Sequence, residues 1–382
     1  MEKHIHIVSF DVPWPVSCGG STDIFSTIKS LHQSGVQVHL HCFEGDQYQQ
    51  EELENYCHAV KYYPRLSGHK CVSMELPYTV ASRSTPELGD ELLKDDHPIL
   101  LEGIHCTFLL TDDRFKGRRI AVRLMHTEYV QYEELSEATS AISLFKKLYY
   151  RRESKLMRQY EKLISDKALF LACCRQDADR YREEFNAQQI VYLPPLLPFT
   201  EVTSNTGVGC FCLYHGNLSI PGNEKAAFWL LENVFKDLSV PFIIAGKNPS
   251  KKLEKAVLNQ RHACLVPNPS EQELQDMIHK AQIHVLPSMC GKSAQIKLLN
   301  ALFNGRHVIV NDKMVGDSSL APCCHVASNA AAFQSIIMQL NHKPFEAHEI
   351  KLREHILEQH YNTAQTCRQL ISFMWPGLPV LQ

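Results

Sequence analysis

Residues 4–43, HIHIVSFDVPWPVSCGGSTDIFSTIKSLHQSGVQVHLHCF, decide the fold class of this chain. The segment opens with the apolar run HIHIVSF, which is typical of a strand, and continues through the loop DVPWPVSCGGS. The next stretch, TDIFSTIKSLHQSG, repeats apolar residues at helical spacing up to Gly35, and VQVHLHCF then predicts a second strand. A strand, a helix and a strand in this order form a βαβ unit, so the sequence predicts a parallel sheet.

The same alternation continues along the chain. HPILLEG, RRIAVRLM and KALFLACC predict further strands of a first domain, and a second series runs from CFCLYHG to HVIVN. The stretch between them, residues 190–209, is rich in proline and then in small polar residues, which is typical of a linker. We therefore predict two doubly wound, Rossmann-like α/β domains, over residues 1–200 and 209–347, facing a cleft. A C-terminal helix, about 348–382, could pack back on the first domain.

Composition narrows the function classes. The chain has 382 residues, of which 44% are apolar and 21% charged, and its net charge is −3, so neither extended disorder nor nucleic-acid binding is expected. The N-terminus lacks a signal-peptide pattern, and no run reaches the roughly 18 apolar residues that a membrane span needs. The 14 cysteines are dispersed without a CxxC spacing. We expect a cytoplasmic protein with reduced, mostly buried cysteines.

The histidine content raises the question of a metal site. His4 and His6 alternate with apolar residues in one predicted strand, and His39 and His41 do so in the next, so each pair lies on one strand face. No carboxylate or cysteine accompanies them at ligand spacing. We interpret them as hydrogen-bonded strand histidines and predict neither a metal site nor a cofactor.

Two loops are candidate anion sites. In PVSCGGS, Gly19 and Gly20 allow close approach of a ligand to the backbone, and the helix that follows directs its free N–H groups toward this loop. An ordinary strand-to-helix turn would carry the same residues. In LPSMCGKSAQIKLLNALFNG, Gly291, Lys292 and Ser293 form a short loop after a strand, and Ser293 is a fitting N-cap for the next helix.

Other polar residues also follow predicted strands. Lys297 and Asn300 lie three residues apart on one face of an otherwise apolar helix, where they either bind a ligand or extend to solvent. Lys247 follows the strand FIIAG and is well placed for a phosphate. In the first domain His105 and His126 follow successive strands, where an imidazole can orient or polarise a substrate hydroxyl.

Three parts of the sequence together resemble the retaining GT-B nucleotide-sugar glycosyltransferases of group 1, and more closely a branch found in Bacteroidetes. These parts are residues 10–43, LYHGNLSIPGNEKAAFWLLENVF with IIAGKNPS, and LPSMCGKSAQIKLLNALFNGRHVIVN. The resemblance covers nearly the whole chain. It implies a GT-B fold with a nucleotide-diphosphate-sugar donor held mainly by the second domain and a glycan or lipid-linked acceptor held mainly by the first. It further implies metal-independent transfer with retention, in cell-surface polysaccharide synthesis.

The resemblance also implies roles for individual residues. Gly20 matches the glycine whose backbone approaches the donor phosphates, and Ser293 and Ala294 match the loop-to-helix amides that bind the diphosphate. His105 matches a histidine near the transferred sugar.

The chain departs from the family pattern at two places. Asn217 and Asn223 stand where the family carries an arginine and a lysine for the diphosphate. Lys292 and Asn300 stand where it carries two glutamates at Glu-x7-Glu spacing. Asn300 retains the ability to bond ribose hydroxyls, whereas Lys292 cannot replace a carboxylate. Lys247 and Lys292 are then the candidates to neutralise the diphosphate.

These departures keep other hypotheses open. A catalytically silent GT-B protein would bind a nucleotide sugar or glycan, or support an active partner. A GT-B epimerase would need acid and base carboxylates, for which Glu102 and Glu128 are the candidates. A metal-dependent transferase would need an Asp-x-Asp loop, but Asp177 and Asp179 fall in a helical pattern that directs them to different faces.

A basic cluster in the first domain suggests contact with an anionic membrane, which would suit a lipid-linked acceptor and place the protein at the inner membrane face. An ordinary solvated helix face is the simpler interpretation. The residues of the cluster are Lys146, Lys147, Arg151, Arg152, Lys155 and Arg158.

Overall fold

The computed structural model describes residues 2–15, 19–44, 49–71, 73–138, 144–289, 296–316 and 318–377. It divides into two compact units. The first consists of Met1–Pro198 and Thr363–Gln382, and the second of Phe199–Asn362. Each unit is built on one parallel sheet with its own strand order.

The first unit contains a sheet of seven strands, all paired in parallel. Its order is β3-β2-β1-β4-β5-β6-β7, in which β1 and β4 are neighbours although β2 and β3 lie between them in the sequence. The strands are β1 (Lys3–Ser9), β2 (Val36–Glu44), β3 (Ala59–Pro64), β4 (Ile99–Glu102), β5 (Ile120–Leu124), β6 (Leu169–Ala172) and β7 (Ile190–Tyr192). This order is that of a doubly wound nucleotide-binding sheet.

Helices connect the strands of this unit and bury both faces of the sheet, which explains why the strands are apolar throughout. The helices are α1 (Gly19–Gln33), α2 (Tyr78–Ala81), α3 (Pro86–Leu92), α4 (Glu128–Ala138), α5 (Leu144–Ile164) and α6 (Arg175–Phe185). No helix among the described residues is long and apolar enough to cross a membrane.

The second unit repeats the same topology in six parallel strands ordered β10-β9-β8-β11-β12-β13. The strands are β8 (Cys212–Asn217), β9 (Phe242–Lys247), β10 (Ala263–Pro267), β11 (Ile283–Leu286), β12 (His307–Val310) and β13 (His325–Val326). The helices are α7 (Pro221–Trp229), α8 (Lys251–Leu258), α9 (Glu271–Lys280), α10 (Ile296–Asn304), α11 (Asp312–Val315), α12 (Ala330–Leu340) and α13 (Ala347–Tyr361). The two sheets confirm the predicted class of two doubly wound Rossmann-like domains.

Helix α9 begins with a capping box. Ser270 accepts a hydrogen bond from the backbone N–H of Glu273, and the Glu273 carboxylate accepts one from the backbone N–H of Ser270. This reciprocal capping box satisfies two N–H groups that the first helical turn leaves open.

The predicted linker and tail differ from the structure. Residues 190–192, which we assigned to the linker, form β7 and extend the edge of the first sheet. The tail, which we predicted as one helix, is two helices that meet at Asn362, where the backbone is extended. The first, α13, belongs to the second unit, and the second, α14 (Thr363–Met374), belongs to the first unit, where it packs against α1.

Candidate functional site

Each sheet has one point at which the strand order reverses, between β1 and β4 in the first unit and between β8 and β11 in the second. At such a point the connections leave the carboxyl ends of neighbouring strands in opposite directions and open a crevice where ligands of doubly wound folds bind. The polar residues that follow these strands are therefore the candidate site of each unit.

In the first unit Glu128 lies between two imidazoles. Its Oε1 is 3.6 Å from Nε2 of His105, which follows β4, and 3.2 Å from Nε2 of His126, which follows β5. The Glu128 side chain is almost fully buried at the start of α4, whereas His126 is 30% exposed and His105 17% exposed. The structure thus brings together the two histidines that the sequence placed at successive strand ends.

The two imidazoles differ in charge at neutral pH. Burial lowers the pKa of His105 to about 4, so this ring is neutral. Burial also opposes protonation of His126, but the carboxylate of Glu128 outweighs it and raises the pKa to about 9. Burial likewise opposes ionisation of Glu128, and the charge of His126 overcomes it to bring the pKa to about 2. The site therefore holds an imidazolium–carboxylate pair beside a neutral imidazole.

The His105 ring is held by packing, and one of its two nitrogens takes no part in hydrogen bonding with the described residues. It packs against the ring of Phe10, with centroids 5.1 Å apart, and its buried Nδ1 has no hydrogen-bond partner among the described residues. A Cβ atom at Gly103 would lie 3.2 Å from this Nδ1, and the φ of Gly103 is +81°, a conformation that residues with side chains rarely adopt. Arg83, which the sequence analysis missed, donates from Nε to the carbonyl oxygen of Phe10 over 2.7 Å. No local pattern marks Arg83, because it lies in an irregular segment far from Phe10 in sequence.

Arg123 occupies a fully buried position on β5. Its Nη2 lies 2.6 Å from Oδ2 of Asp23 on α1, and its Nη1 lies 3.5 Å from Oε1 of Glu102 on β4. Glu102 is fully buried, and burial raises its pKa to about 7 against the attraction of Arg123. Because Glu102 has no exposed surface, it is not available as the acid or base of an epimerase, and this correction weakens that hypothesis.

The Asp-x-Asp hypothesis fails on geometry. Asp177 is buried in α6, where Oδ1 accepts hydrogen bonds from the backbone N–H and the hydroxyl of Thr127. Asp179 lies on the exposed face and pairs with Arg182 at 2.8 Å. The two carboxylates face different surroundings, as residues two apart on a helix must.

In the second unit Lys297 reaches across to the end of β8. Its Nζ donates to Oδ1 of Asn223 over 2.9 Å and lies 5.3 Å from the centre of the Tyr214 ring. Asn223 in turn donates from Nδ2 to the carbonyl oxygen of Asn217 over 3.0 Å. Asn217 uses its own Oδ1 to accept from the backbone and the hydroxyl of Ser219. A lysine from α10 thus contacts the segment that follows β8.

Lys247 ends the neighbouring strand, β9, and is half-buried. Among the described residues no ion pair or hydrogen bond engages its Nζ. The loop after it is fixed by two asparagines with left-handed backbone, because the N–H of Asn248 donates to Oδ1 of Asn268 over 2.8 Å. Lys247 and Lys297 therefore contribute two positive charges at the carboxyl ends of this sheet.

The strand ends of β8 and β9 approach each other at Gly246. A Cβ atom at this position would lie 1.9 Å from the carbonyl oxygen of Gly216. We expect Gly246→Ala to lower the free energy of unfolding by about 1–3 kcal/mol, because the backbone must move apart. Urea denaturation measures this loss. The matched control is Gly89→Ala in α3, whose Cβ would meet the flexible end of Arg114 at 3.2 Å and a methyl group of Leu109 at 4.0 Å. Equal stability of the two variants would contradict the prediction.

Several predicted donor-binding residues lie outside the described residues or at their margin. Gly291, Lys292, Ser293 and Ala294 are not described. Asn300 is partly exposed on α10, and its Oδ1 accepts from Nδ2 of Asn304 over 2.8 Å.

The chain at Ser288, just before these residues, is held by hydrogen bonds to a neighbouring segment. Asn311, which follows β12, accepts from the backbone N–H of Ser288 over 3.0 Å and donates to its carbonyl oxygen over 2.8 Å.

The glycine pair predicted as an anion site lies in the first unit, where Gly19 and Gly20 form the beginning of α1.

Comparisons with known proteins place this geometry in context. Residues 210–340, which fall within the second unit, match the family Glycosyl transferases group 1. An "Uncharacterized 44.6 kDa protein in cps region" of Klebsiella pneumoniae is 28% identical over 325 residues, which cover 80% of this chain and 82% of that protein.

Solved structures show the same fold at low identity. A glycosyltransferase from Rickettsia africae is 11% identical with a TM-score of 0.63, and the match covers 99% of this chain and 100% of that one. The lipopolysaccharide outer core galactosyltransferase WaaB is 11% identical with a TM-score of 0.57, covering 98% and 100%. The chain therefore has the GT-B fold, and part of its second unit is similar to the glycosyl transferases of group 1.

Proposed function

We propose that this protein transfers a sugar from a nucleotide-diphosphate-sugar to a glycan or lipid-linked acceptor, with retention of the anomeric configuration, in cell-surface polysaccharide synthesis. The observation that carries the proposal is the Lys297–Asn223 contact at the strand-order reversal of the second unit, inside the segment that matches group 1 glycosyltransferases. The cps-region relative in Klebsiella pneumoniae supports a polysaccharide product.

The donor diphosphate would be bound by the second unit. Lys297 and Lys247 supply positive charge, and α10 directs the positive end of its dipole to the same edge of the sheet. Fixed cations of this kind stabilise the charge that develops on a leaving diphosphate without reorganising in the reaction. The proposal therefore assigns this charge to lysines and helix amides, with no divalent ion in the chemical step.

The sugar and acceptor would be bound by the first unit. In the transfer, the bond from the anomeric carbon to the diphosphate oxygen breaks, a bond to the acceptor oxygen forms, and the acceptor proton passes to the leaving diphosphate. The neutral His105 ring keeps 17% of its side-chain surface exposed, which suits a hydrogen bond to a sugar hydroxyl. The charged pair of His126 and Glu128 lies next to that ring, with Oε1 of Glu128 3.6 Å from its Nε2.

A ligand screen tests donor binding directly. Thermal unfolding is followed with UDP-, GDP-, ADP- and CMP-sugars, since a ligand at 100 times its Kd stabilises the folded state by about 2.7 kcal/mol. We expect a shift with sugars of one nucleotide class. The anomeric configuration of the product, read by NMR, then tests retention.

We expect Lys297→Met to weaken the affinity for the responding donor about 10- to 100-fold, because a charge-assisted hydrogen bond contributes about 1.5–3 kcal/mol. Titration calorimetry measures the change. Lys255→Met is the control, because Lys255 lies on the exposed face of α8 in the same unit. Equal affinities of the two variants would remove Lys297 from the donor site.

A silent binding protein is the second candidate function, because Lys292 stands where the family has a carboxylate. Binding of a donor without release of the nucleotide diphosphate, in the presence of lipid-linked and glycan acceptors, would favour it over the transferase.

Membrane contact would suit a lipid-linked acceptor. The first turns of α5 expose large apolar side chains, among them Phe145, which is 90% exposed, and Leu148, which is 59% exposed. Lys146, Arg151 and Lys155 are exposed on the same helix. Apolar residues interleaved with basic ones are typical of helices that bind at anionic lipid surfaces. Co-sedimentation with anionic vesicles, lost in Phe145→Ser, tests this; equal binding of the variant would contradict it.

A further inference from the structure

The amino ends of β1 and β2 carry a cluster of histidines on one face of the first sheet. His6 pairs with His39 in the strand register, and His4 lies on the same face one pleat earlier. The loop before β4 adds His97, whose ring stacks on that of His4 with centroids 4.8 Å apart. Three imidazoles from three separate segments thus meet at the edge of the sheet opposite the candidate site.

The ligand atoms of these three rings have the spacing of a metal site. One nitrogen from each of His4, His39 and His97 lies within 4.8 Å of the other two. Nδ1 of His4 and Nε2 of His39 are 3.0 Å apart. Two nitrogens bound to one tetrahedral zinc ion at about 2.0–2.1 Å are separated by about 3.3 Å. The His4–His39 pair therefore needs only small movements to coordinate one ion.

The surroundings favour a cation that solvent can reach. The side chains of His4 and His97 are 22% and 37% exposed. Nε2 of His4 lies 3.8 Å from Oε2 of Glu2, and Nε2 of His97 lies 4.0 Å from Oδ2 of Asp95. These carboxylates are too distant to hydrogen-bond the two rings, but their negative charge favours a bound cation.

Hydrogen bonding engages the strand histidines, including His4 and His39, which share one hydrogen bond that a metal ion would replace, but it leaves the His97 ring out. His6 contacts Asp95 at 3.0 Å and His41 at 2.9 Å, and the second nitrogen of His41 contacts the hydroxyl of Tyr63 at 3.0 Å, so both rings are fully engaged. The ring of His97, in contrast, makes no hydrogen bond within the part of the chain that the structure describes. An imidazole nitrogen without such a bond, within 4.8 Å of two others, is an available ligand for zinc, nickel or copper.

We infer that His4, His39 and His97 form a binding site for a divalent transition metal ion, with water completing the coordination. The ion joins β1, β2 and the loop before β4, and it lies away from the strand ends that carry the proposed donor and acceptor residues. The prediction of no metal from the sequence considered only the strand pairs, whereas the site depends on His97.

Titration calorimetry of the full chain with zinc, after treatment with a chelator, tests the site. We expect one ion bound per chain, and at least a tenfold loss of zinc affinity in both His39→Gln and His97→Gln. His355→Gln, an exposed histidine on α13, is the surface control. His325→Gln is the second control, because His307, His325 and Glu349 form the other group of ligand atoms that could hold an ion among the described residues.

The outcomes separate the site from its alternatives. Unchanged affinity in His39→Gln and His97→Gln, or loss in His325→Gln in their place, would overturn the inference. Cobalt absorption in the visible range, which reports tetrahedral nitrogen ligation, should disappear in His97→Gln. Thermal unfolding in the presence of chelator must match the parent protein, so that a loss of affinity is not a loss of folding. None of these readouts depends on sugar transfer.

Discussion

Replacing Arg123 by methionine is expected to lower the free energy of unfolding by about 3–5 kcal/mol, because removing one partner of a buried ion pair leaves the other charge without compensation. Arg123 is fully buried and faces Asp23 at 2.6 Å and Glu102 at 3.5 Å. Methionine keeps much of the side-chain volume, so the loss reports the charge. Urea denaturation at pH 7 measures it.

The control for this prediction is Arg114→Met. Arg114 also contacts two carboxylates, Asp90 and Asp112, both at distances under 3 Å, but it is 51% exposed. Exposed ion pairs contribute about 0–1 kcal/mol, so this variant should be nearly as stable as the parent. Similar losses in the two variants would show that burial of Arg123 does not decide its contribution. The loss in Arg123→Met should also shrink in acid, where Glu102 is protonated more readily.

The pair of His126 and Glu128 should make stability depend on pH. The pKa of His126 is raised from 6.5 to about 9, so its contribution is complete below pH 6.5 and is lost as the pH rises through 9. The pKa of Glu128 is lowered from 4.5 to about 2, so its contribution is present above pH 4.5 and is lost as the pH falls through 2. We expect the parent protein to lose up to about 3 kcal/mol more than His126→Gln between pH 6 and pH 9.5.

Urea denaturation at several pH values measures this difference. Glu128→Gln should remove the same pH dependence, because either substitution breaks the pair. His348→Gln is the control, since His348 lies 3.1 Å from Glu346 but is 74% exposed. If His126→Gln and the parent protein lose equal stability over this range, the pair does not have the assigned charges.

The sequence determined the architecture to a large extent. Apolar runs separated by helical periodicity are local properties, and parallel strands with their connecting helices follow from them. The division between the two units, after Pro198, falls within the proline-rich stretch. The strand β7 was missed because three residues give no periodicity to measure. The tail was predicted as one helix because Asn362 carries no strong signal for a helix end.

The candidate sites were only partly contained in the sequence. The predicted strands placed His105 and His126 at strand ends, and helical spacing placed Lys297 on one face of its helix. It did not show that Lys297 contacts Asn223, which lies 74 residues earlier, or that Asn217 is engaged in its own turn.

What only the tertiary structure decided is which of these residues meet. The order of the strands along the chain and the sheet face of each side chain can be predicted from the sequence, since both follow from local properties. Distances between strand ends depend on which strands are neighbours in the sheet, and β1 lies beside β4 only after the chain has crossed over. His97 therefore reaches His4, and His105 reaches Glu128, through long-range pairing and burial that no local spacing encodes.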